Sequence, residues 1–368
     1  MELGQGAVEK VELNTQFWRG KKVLITGHTG FKGGWLSLWL QTLGAKVTGY
    51  SLPAPTEPSF FDAAHVARGM ESVTGDIRDL SSLTMAAKQA APEIIIHMAA
   101  QSLVRLSYDD PVTTYSTNVL GTVNVLEAAR GIPGLRAVVI VTSDKCYEIT
   151  DERRDFREGD PLGGHDPYAN SKACAELVTA AYRRSFFSGY HLNPVGVATV
   201  RAGNVIGGGD WAADRLIPDA IRAFGSRHPV KLRYPRATRP WQHVLDPLLG
   251  YLLLAETLCA SASDHAAAWN FGPARDHVTS VADVVDALAK KWGDQAAWEP
   301  DPADQPHEAH FLSIDASKAR TVLGWKPRLD LMQTLDWTVD WYRAWRDGTD
   351  MRKFSESQLN RYSSLATA

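Results

Sequence analysis

The sequence predicts an α/β protein in which a doubly wound parallel sheet carries a smaller, mixed C-terminal lobe. Three observations predict this fold: short apolar segments alternate with helical segments up to residue 205, a glycine-rich turn follows the first apolar segment, and the alternation stops after residue 205. Apolar strands that alternate with helices form βαβ units, whose helices cover both faces of a mostly parallel sheet. With 368 residues, 44% of them hydrophobic and 22% charged, the chain can bury the core that this fold requires.

The elements follow one another in a regular order. Apolar runs rich in β-branched residues predict strands, at 21–27, 46–52, 71–77, 93–101, 136–144 and 194–207. Helical periodicity in the intervening segments predicts helices, at 33–45, 83–91, 114–130 and 168–187. A polar stretch at 148–167 is predicted to be a loop.

This order divides the chain into parts. Residues 21–205 are predicted to form a nucleotide-binding domain of Rossmann type, preceded by an N-terminal extension over 1–20. Pro-, Gly- and Arg-bearing segments mark 206–350 as mainly a substrate-binding lobe, from which about 236–275 return to the first domain. Residues 351–368 are polar, which predicts a loosely held tail.

Composition excludes several classes of function. A net charge of -3 gives no basic footprint for nucleic acid, and no apolar run is long enough to span a bilayer. The leader has no basic segment followed by an apolar one, so no secretory signal is expected. The three cysteines are too few for a disulfide framework, and the histidines show no ligand spacing. We expect a cytoplasmic protein with no metal, no nucleic-acid partner and no membrane partner.

The segment TGHTGFKG, residues 26–33, follows a predicted strand and precedes a predicted helix. Its glycines have the spacing of a dinucleotide fingerprint: the first permits a tight turn, the second lets a pyrophosphate approach, and the third lets the helix pack closely on the strand. The predicted cofactor-binding residues of this turn are Gly27, Thr29, Gly30, Phe31, Lys32 and Gly33.

The ends of the next two strands bear on the identity of the nucleotide. The second strand ends GYSLPAP, with neither an acidic residue for a ribose 2′-hydroxyl nor an Arg for a 2′-phosphate. The sequence therefore favours NAD over NADP without a residue that decides between them. Asp76, after the third strand, suits the adenine edge, but it is equally suited to capping a turn or helix.

The segment YANSK places Tyr168 and Lys172 four residues apart, on one face of a helix. An ammonium group favours the phenolate and so lowers the pKa of a nearby phenol, which suits Tyr168 to take a proton from an alcohol. On its own this spacing is typical of a solvated helix face. After a nucleotide-binding turn and a strand-end Ser143, it indicates a catalytic set.

With these residues the chain resembles the extended short-chain dehydrogenase/reductase family, from Lys21 to about Trp345. The resemblance implies that Ser143, Tyr168 and Lys172 are catalytic and that Tyr168 and Lys172 also contact NAD. It implies a homodimer, or a tetramer built from such dimers, through two long helices that include TNVLGTVNVLEAAR and YANSKACAELV. The cofactor-lining positions that it adds are Asp76, Ile77, Ala99, Ala100, Gln101 and Asn118.

The strand end VTSDKCYE narrows the resemblance to nucleotide-sugar 4,6-dehydratases. Their strand-end motif looks like Thr-Asp-Glu, with the Asp as acid and the Glu as base, whereas this chain has Ser143, Asp144 and Lys145. The Ser-Asp-Lys variant, with RAGNVIGGGDWA, DRLIPD and RPWQHVLDPL, resembles the dehydratases that act on CDP-glucose. This implies conversion of CDP-D-glucose to CDP-4-dehydro-6-deoxy-D-glucose, a precursor of surface sugars such as those of O-antigen.

The resemblance assigns further roles. Asp144 would protonate the departing C6 hydroxyl, and Lys145 would either remove the C5 proton or act only through its charge, with Glu148 in reserve as the base. A 4-epimerase of the same fold, which needs neither Asp144 nor Lys145, and a non-catalytic NAD-binding regulator stay open as alternatives. The predicted substrate-binding residues are Ser143, Asn204, Arg215, Leu216, Arg233, Arg239, Gln242 and His243.

Overall fold

A seven-stranded parallel sheet forms the centre of the protein. The structure is a computed structural model that describes residues 12–149, 154–188, 194–273, 278–293, 295–303 and 311–365. The strands of this sheet are β1 (Lys22–Thr26), β2 (Lys46–Ser51), β3 (Glu71–Thr74), β4 (Ile94–His97), β5 (Ala137–Val141), β6 (Gly196–Ala202) and β10 (Ala268–Phe271).

The strand order is β10-β6-β5-β4-β1-β2-β3, and every pairing is parallel. The chain runs outward from β1 to β3 and then returns to β4 on the other side of β1. This reversal opens a crevice beyond the carboxyl ends of β1 and β4, where ligands of doubly wound sheets bind. The predicted fold class is confirmed, and β10 lies in the stretch 236–275 that was expected to return to the first domain.

The second lobe carries two small sheets. One joins β7 (Asn204–Ile206), β9 (Thr238–His243) and β11 (Val278–Ser280), and the other joins β8 (Val230–Leu232) and β12 (Trp298–Pro300). The strand predicted at 194–207 is therefore two strands in different sheets. Gly203 separates them, and a Cβ there would lie 2.6 Å from the Pro240 ring.

Helices cover both faces of the main sheet and build most of the second lobe. In the Rossmann half they are α1 (Thr15–Trp18), α2 (Phe31–Thr42), α3 (Phe60–Ala63), α4 (Leu80–Ala90), α5 (Val104–Asp109), α6 (Pro111–Tyr115), α7 (Gly121–Arg130) and α8 (Pro167–Tyr182). The later helices are α9 (Leu216–Gly225), α10 (Leu245–Ala260), α11 (Ala262–His265), α12 (Val281–Trp292), α13 (Ser317–Val322), α14 (Leu331–Arg346) and α15 (Met351–Ser364). A π-helical turn at Ser116–Leu120 joins α6 to α7, and another at Arg183–Phe187 extends α8.

The C-terminal segment differs from its prediction. Residues expected to be a loose tail form α15, which buries Met351, Leu359 and Tyr362. The Tyr362 hydroxyl donates to Asp246 Oδ1 at 2.7 Å, and its ring meets Trp39 edge to face. The helix is polar on average, yet a few well-spaced large side chains are enough to dock it. Residues 366–368 lie outside the described part of the chain.

The N-terminal extension is docked in part. Trp18 in α1 is fully buried and its indole donates to Glu256 on α10 at 2.6 Å, while residues 1–11 lie outside the described part. Among the helices that the structure describes, none combines the length and the apolar composition that crossing a membrane requires.

Candidate active site

The glycine-rich turn between β1 and α2 leaves no room for a side chain at Gly27 or at Gly33. Gly27 has a φ of +77°, and a Cβ on it would lie 2.6 Å from the backbone nitrogen of Ala99. A Cβ on Gly33 would lie 2.1 Å from the Gly27 carbonyl oxygen. In the described part of the chain, no side chain caps the start of α2 at Gly30. Backbone N–H groups at the start of this 12-residue helix therefore suit the pyrophosphate of a dinucleotide.

Replacing Gly33 by Ala is expected to destabilise the protein by about 1–3 kcal/mol, because the added methyl must push α2 away from the Gly27 carbonyl. NAD affinity should fall with it, since the same displacement moves the N–H groups at the start of α2. Denaturant unfolding and calorimetric titration with NAD measure the two effects. The control is Gly159→Ala, where the added methyl meets nothing within 4 Å. Equal effects of the two substitutions would contradict this account.

The other predicted cofactor residues surround this turn. The Thr29 hydroxyl lies 2.8 Å from Ser51 Oγ and donates to the Leu52 carbonyl at 2.9 Å, so it ties the turn to the end of β2. Asp76 forms a 2.6 Å ion pair with Arg78, and the hydrogen bonds from Arg78 hold the pKa of that carboxyl below its ordinary value. Ile77 is buried and packs where a Cβ on Gly121 would lie.

Asn118 shapes the loop after β4. Its Oδ1 accepts from the Gln101 N–H at 2.9 Å, and its amide donates to the Gln101 carbonyl and to Ser171 Oγ, both at 2.9 Å. These bonds use both of its amide protons. Asn118 thus fixes the loop that follows Ala99 and Ala100, which are half-buried next to Gly27.

The structure brings the predicted catalytic set together at the carboxyl end of β5. The members of this set are Ser143, Tyr168 and Lys172. Ser143 caps the short turn that follows β5, where its hydroxyl accepts from the Lys145 N–H at 3.1 Å, and it lies close enough to Tyr168 to favour the phenolate. Asp166 caps the start of α8, which presents Tyr168 and, one turn later, Lys172. The Lys172 ammonium donates to the Val141 carbonyl at 3.1 Å. The site pairs a candidate proton acceptor with a cation and a hydroxyl donor.

The expected lowering of the Tyr168 pKa is wrong. Burial raises the pKa of Tyr168 to about 12, although Ser143 and Arg215 act in the opposite direction. Burial also lowers the pKa of Lys172 to about 8, against the attraction of Glu176. Desolvation penalises every buried charge, so here it outweighs the help that a cation gives to a phenolate.

Asp144 is buried in the turn after Ser143. Its Oδ1 accepts from the Ser143 hydroxyl at 3.0 Å, whereas its Oδ2 is buried without a hydrogen-bond partner among the described residues. Burial raises the pKa of Asp144, although Lys145, Ser143 and Arg239 favour its ionised form. A carboxyl with a raised pKa and an unused oxygen is suited to deliver a proton.

Lys145 and Glu148 have different surroundings. Lys145 is half-buried, and its charge acts on Asp144 next to it. Glu148 is exposed, and its carboxylate lies where a Cβ on Gly163 would be. The geometry thus keeps Lys145 beside the Asp144 carboxyl, while the roles given to Lys145 and Glu148 stay predictions.

Two further cations, Lys32 and Arg215, lie close to this centre. Lys32 donates to the hydroxyl of Tyr251 on α10 at 3.0 Å. Burial, together with the charges of Arg215 and Lys172, lowers the pKa of Lys32 to about 7, against the opposite effect of Asp144. Arg215 bonds Asp210 at 3.0 Å and Ser102 at 2.8 Å. Such an excess of cations suits the diphosphates of a cofactor and a substrate.

Four further residues that the sequence predicts to bind the substrate are two arginines, Asn204 and Leu216. Arg239 is close enough to Asp144 to lower its pKa, and Arg233 donates to the Asp214 carbonyl at 3.0 Å. Asn204, which pairs with Trp241 in register, and Leu216, at the start of α9, are both half-buried.

Gln242 and His243 are almost completely buried. The Gln242 amide donates to the Phe271 carbonyl at 2.9 Å, and His243 meets Trp337 edge to face. Burial lowers the pKa of His243 to about 3, so it is neutral. Each keeps one buried polar atom without a partner in the described part of the chain, and their assignment to the substrate stays a prediction.

Sequence reasoning missed Tyr251 and the buried pair Glu176–Arg201. The pair had a readable signal. Arg201 lies in a strand whose other residues are apolar or small, and a buried Arg requires a carboxylate partner. Glu176 lies four residues after Lys172 on α8, and so on the catalytic face.

Comparison with known proteins shows that the chain is similar to nucleotide-sugar 4,6-dehydratases. A model of the family described as GDP-mannose 4,6 dehydratase matches residues 24–338. The chain is 50% identical to CDP-glucose 4,6-dehydratase of Salmonella typhimurium over 357 residues, which are 96% of this chain and 99% of that protein. It is 25% identical to dTDP-glucose 4,6-dehydratase of Xanthomonas campestris pv. campestris, over 88% of this chain and 95% of the relative.

A solved structure shares the architecture. The dTDP-glucose 4,6-dehydratase of Streptomyces venezuelae, crystallised with NAD bound, superimposes with a TM-score of 0.75 at 25% identity. The alignment covers 89% of this chain and 98% of that one.

Proposed function

Because the chain belongs to the GDP-mannose 4,6-dehydratase family, we propose that it is a hydro-lyase that converts CDP-D-glucose to CDP-4-dehydro-6-deoxy-D-glucose and water. The observation that carries the choice of CDP-glucose is the 50% identity, along almost the whole of both chains, to an enzyme with that name. The site supports a dehydration, because Ser143, Tyr168 and Lys172 are suited to oxidise the sugar and the buried carboxyl of Asp144 lies next to them and can act as an acid.

The cofactor is NAD, and when bound it would supply a hydride acceptor for C4 of the sugar and a hydride donor for C6, so that the reaction has no net redox change. The residues fit it: no described side chain caps the start of α2, which leaves its backbone N–H groups for a pyrophosphate, and Lys172 is held beside the end of β5. Tyr168 takes the proton of the 4-hydroxyl, and Ser143 hydrogen-bonds the same oxygen. Asp144 protonates the C6 hydroxyl as it leaves.

The assay is incubation with CDP-glucose and NAD, followed by detection of a 4-keto-6-deoxy sugar by its absorbance in alkali. We expect product from CDP-glucose and little or none from dTDP-glucose or GDP-mannose. Product from either of these sugars but none from CDP-glucose would refute the cytidine preference and leave the dehydration in place. Activity on none of them would refute the function.

Substitution of Lys145 tests whether it is the base at C5. Lys145→Met should abolish most of the exchange of the C5 proton with solvent, measured by mass spectrometry in heavy water. Lys145→Arg is the matched control, since Arg keeps the charge but does not give up its proton. A base role predicts that both variants lose exchange, and an electrostatic role predicts that Arg retains it. Undiminished exchange in Lys145→Met would remove Lys145 from the step.

The biological setting is also proposed. We infer a homodimer through the paired helices at 111–130 and 167–182, whose exposed faces carry Val112, Leu120 and Leu177, with exposed fractions of 78%, 58% and 58%. Sedimentation at low and high salt tests it. A cytoplasmic location is supported by three cysteines that are all free, and the product class suits deoxy sugars of surface polysaccharides such as O-antigen.

A further inference from the structure

A buried ion pair lies directly behind the catalytic residues. Glu176 on α8 and Arg201 on β6 meet with their side chains 3% exposed. Arg201 Nε donates to Glu176 Oε1 at 2.9 Å, and Arg201 Nη2 donates to Oε2 at 2.8 Å. Burial alone would raise the pKa of Glu176, but Arg201 and two hydroxyl donors outweigh it and hold that pKa below its ordinary value.

The carboxylate also bonds the two strands beneath the site. Thr142 Oγ1, in the residue before Ser143, donates to Glu176 Oε1 at 2.5 Å. Thr199 Oγ1 on β6 donates to Glu176 Oε2 at 2.6 Å. Four donor atoms from three residues therefore converge on one carboxylate, and they come from the end of β5 and from the middle of β6.

The position of Glu176 gives these bonds a catalytic consequence. The residue lies one turn after Lys172 on the helix that also presents Tyr168. A guanidinium and two hydroxyls donate the hydrogen bonds that water would otherwise give to the Glu176 carboxylate, so the ion pair is fixed in one arrangement. A buried pair of this kind contributes specific geometry more than stability, and here the geometry it defines is the position of α8 relative to the end of β5.

We propose that Glu176 is a positioning residue for the oxidation step, because its carboxylate clamps the helix that carries Tyr168 and Lys172 against the strand end that carries Ser143. Its negative charge also favours the ammonium form of Lys172 in the same buried space. The proposal rests on the proposed function, since it concerns the hydrogen transfer that opens the dehydratase reaction.

The charged and titratable groups around the clamp are defined. Beside Lys172 lie Cys146 on the turn after β5, Lys32 on α2 and His97 on β4. Arg183 lies beside Glu176 in addition to Arg201. Burial raises the pKa of the Cys146 thiol and lowers the pKa of His97 to about 3, so both are neutral through the working range. Burial lowers the pKa of Lys32 to about 7 and the pKa of Lys172 to about 8.

The sign of the pH effect follows from Lys172. Activity that needs its ammonium is present below its pKa and is lost as the pH rises through about 8. Glu176→Gln removes the charge that raises this pKa, so the alkaline limb of kcat should move to lower pH. Because Lys32 and Arg201 are unchanged in this variant, the displacement of the alkaline limb results from the loss of the Glu176 charge.

The experiment compares Glu176→Gln with the wild-type chain. We expect kcat to fall by up to about 10²-fold, with the KM for the nucleotide sugar changed by less than about threefold, because the loss is one of alignment. The fast appearance of reduced nicotinamide after mixing should slow in proportion. The control is Asp246→Asn, another buried carboxyl hydrogen-bonded to neighbouring elements, which should leave the alkaline limb in place.

A second pair of variants keeps every charge. Thr142→Val and Thr199→Val have nearly the wild-type shape, and each removes a hydrogen bond to Glu176. The clamp predicts a larger fall in kcat for Thr142→Val, because Thr142 is bonded to Ser143. Equal falls in the two variants, or an unmoved alkaline limb in a folded Glu176→Gln protein, would overturn it. These outcomes are distinct from failure of the function, in which the wild-type chain itself shows no turnover.

Discussion

Tyr168→Phe is expected to lower kcat by about 10²–10⁴-fold, the usual contribution of a positioned proton acceptor. The substitution removes one hydroxyl from a side chain that is only 9% exposed, and it leaves the ring packing in place. NAD and the nucleotide sugar should therefore still bind, because Lys172 and the glycine turn are untouched. Steady-state kinetics give kcat, and calorimetric titration gives both affinities.

Tyr182→Phe is the matched control for this prediction. Tyr182 ends the same helix α8, and its hydroxyl donates to Glu127 Oε1 at 2.7 Å. It loses the same hydroxyl, but it is more than three helical turns from Tyr168. We expect kcat to stay within about twofold of wild type, as for a change outside the site. If Tyr168→Phe retained comparable activity, Tyr168 would not be the proton acceptor.

Local sequence patterns predicted those parts of the fold that depend on local rules. The turn at 26–33 is one such case, since a Cβ at Gly33 would lie 2.1 Å from the Gly27 carbonyl and only glycine fits there. The placing of Tyr168 and Lys172 on one helix face is another, because helix geometry alone sets it. Alternation of strands and helices predicted the parallel sheet for the same reason.

Local sequence patterns could not predict contacts between segments that are far apart in the sequence. Tyr251 reaches Lys32 across 219 positions of sequence, and Tyr362 reaches Asp246 across 116. Neither pair has a spacing that identifies it. The polar tail prediction was wrong on this account, since the docking of α15 depends on three large side chains that meet partners elsewhere in the fold.

The Tyr168 pKa shows a different limit. A sequence reveals which charges are neighbours along a helix, but it does not reveal how much water the fold removes from them. Burial raises the pKa of Tyr168 to about 12 and lowers that of Lys172 to about 8, so both groups favour their neutral forms more than their spacing suggests.

Asp144→Asn is expected to separate the two halves of the reaction. Asn has nearly the same shape, but it has no proton to give to the leaving C6 hydroxyl, so formation of the 4-keto-6-deoxy product should fall by about 10²–10⁴-fold. In the proposed mechanism, oxidation at C4 depends on Ser143, Tyr168 and Lys172, so it should continue in this variant. Mixing the variant with CDP-glucose should therefore produce reduced nicotinamide that persists, whereas in the wild-type enzyme it disappears with each turnover.

The control is Asp340→Asn on α14, another carboxyl whose pKa burial raises but which lies outside the catalytic set. It should keep both absorbance and product at wild-type levels. The comparison also decides between reaction types, since a 4-epimerase has no leaving hydroxyl to protonate. Full turnover in Asp144→Asn would favour an epimerase on the same fold. Persistent reduced nicotinamide without product would show that the buried carboxyl, with its one unused oxygen, is what makes this site a dehydratase.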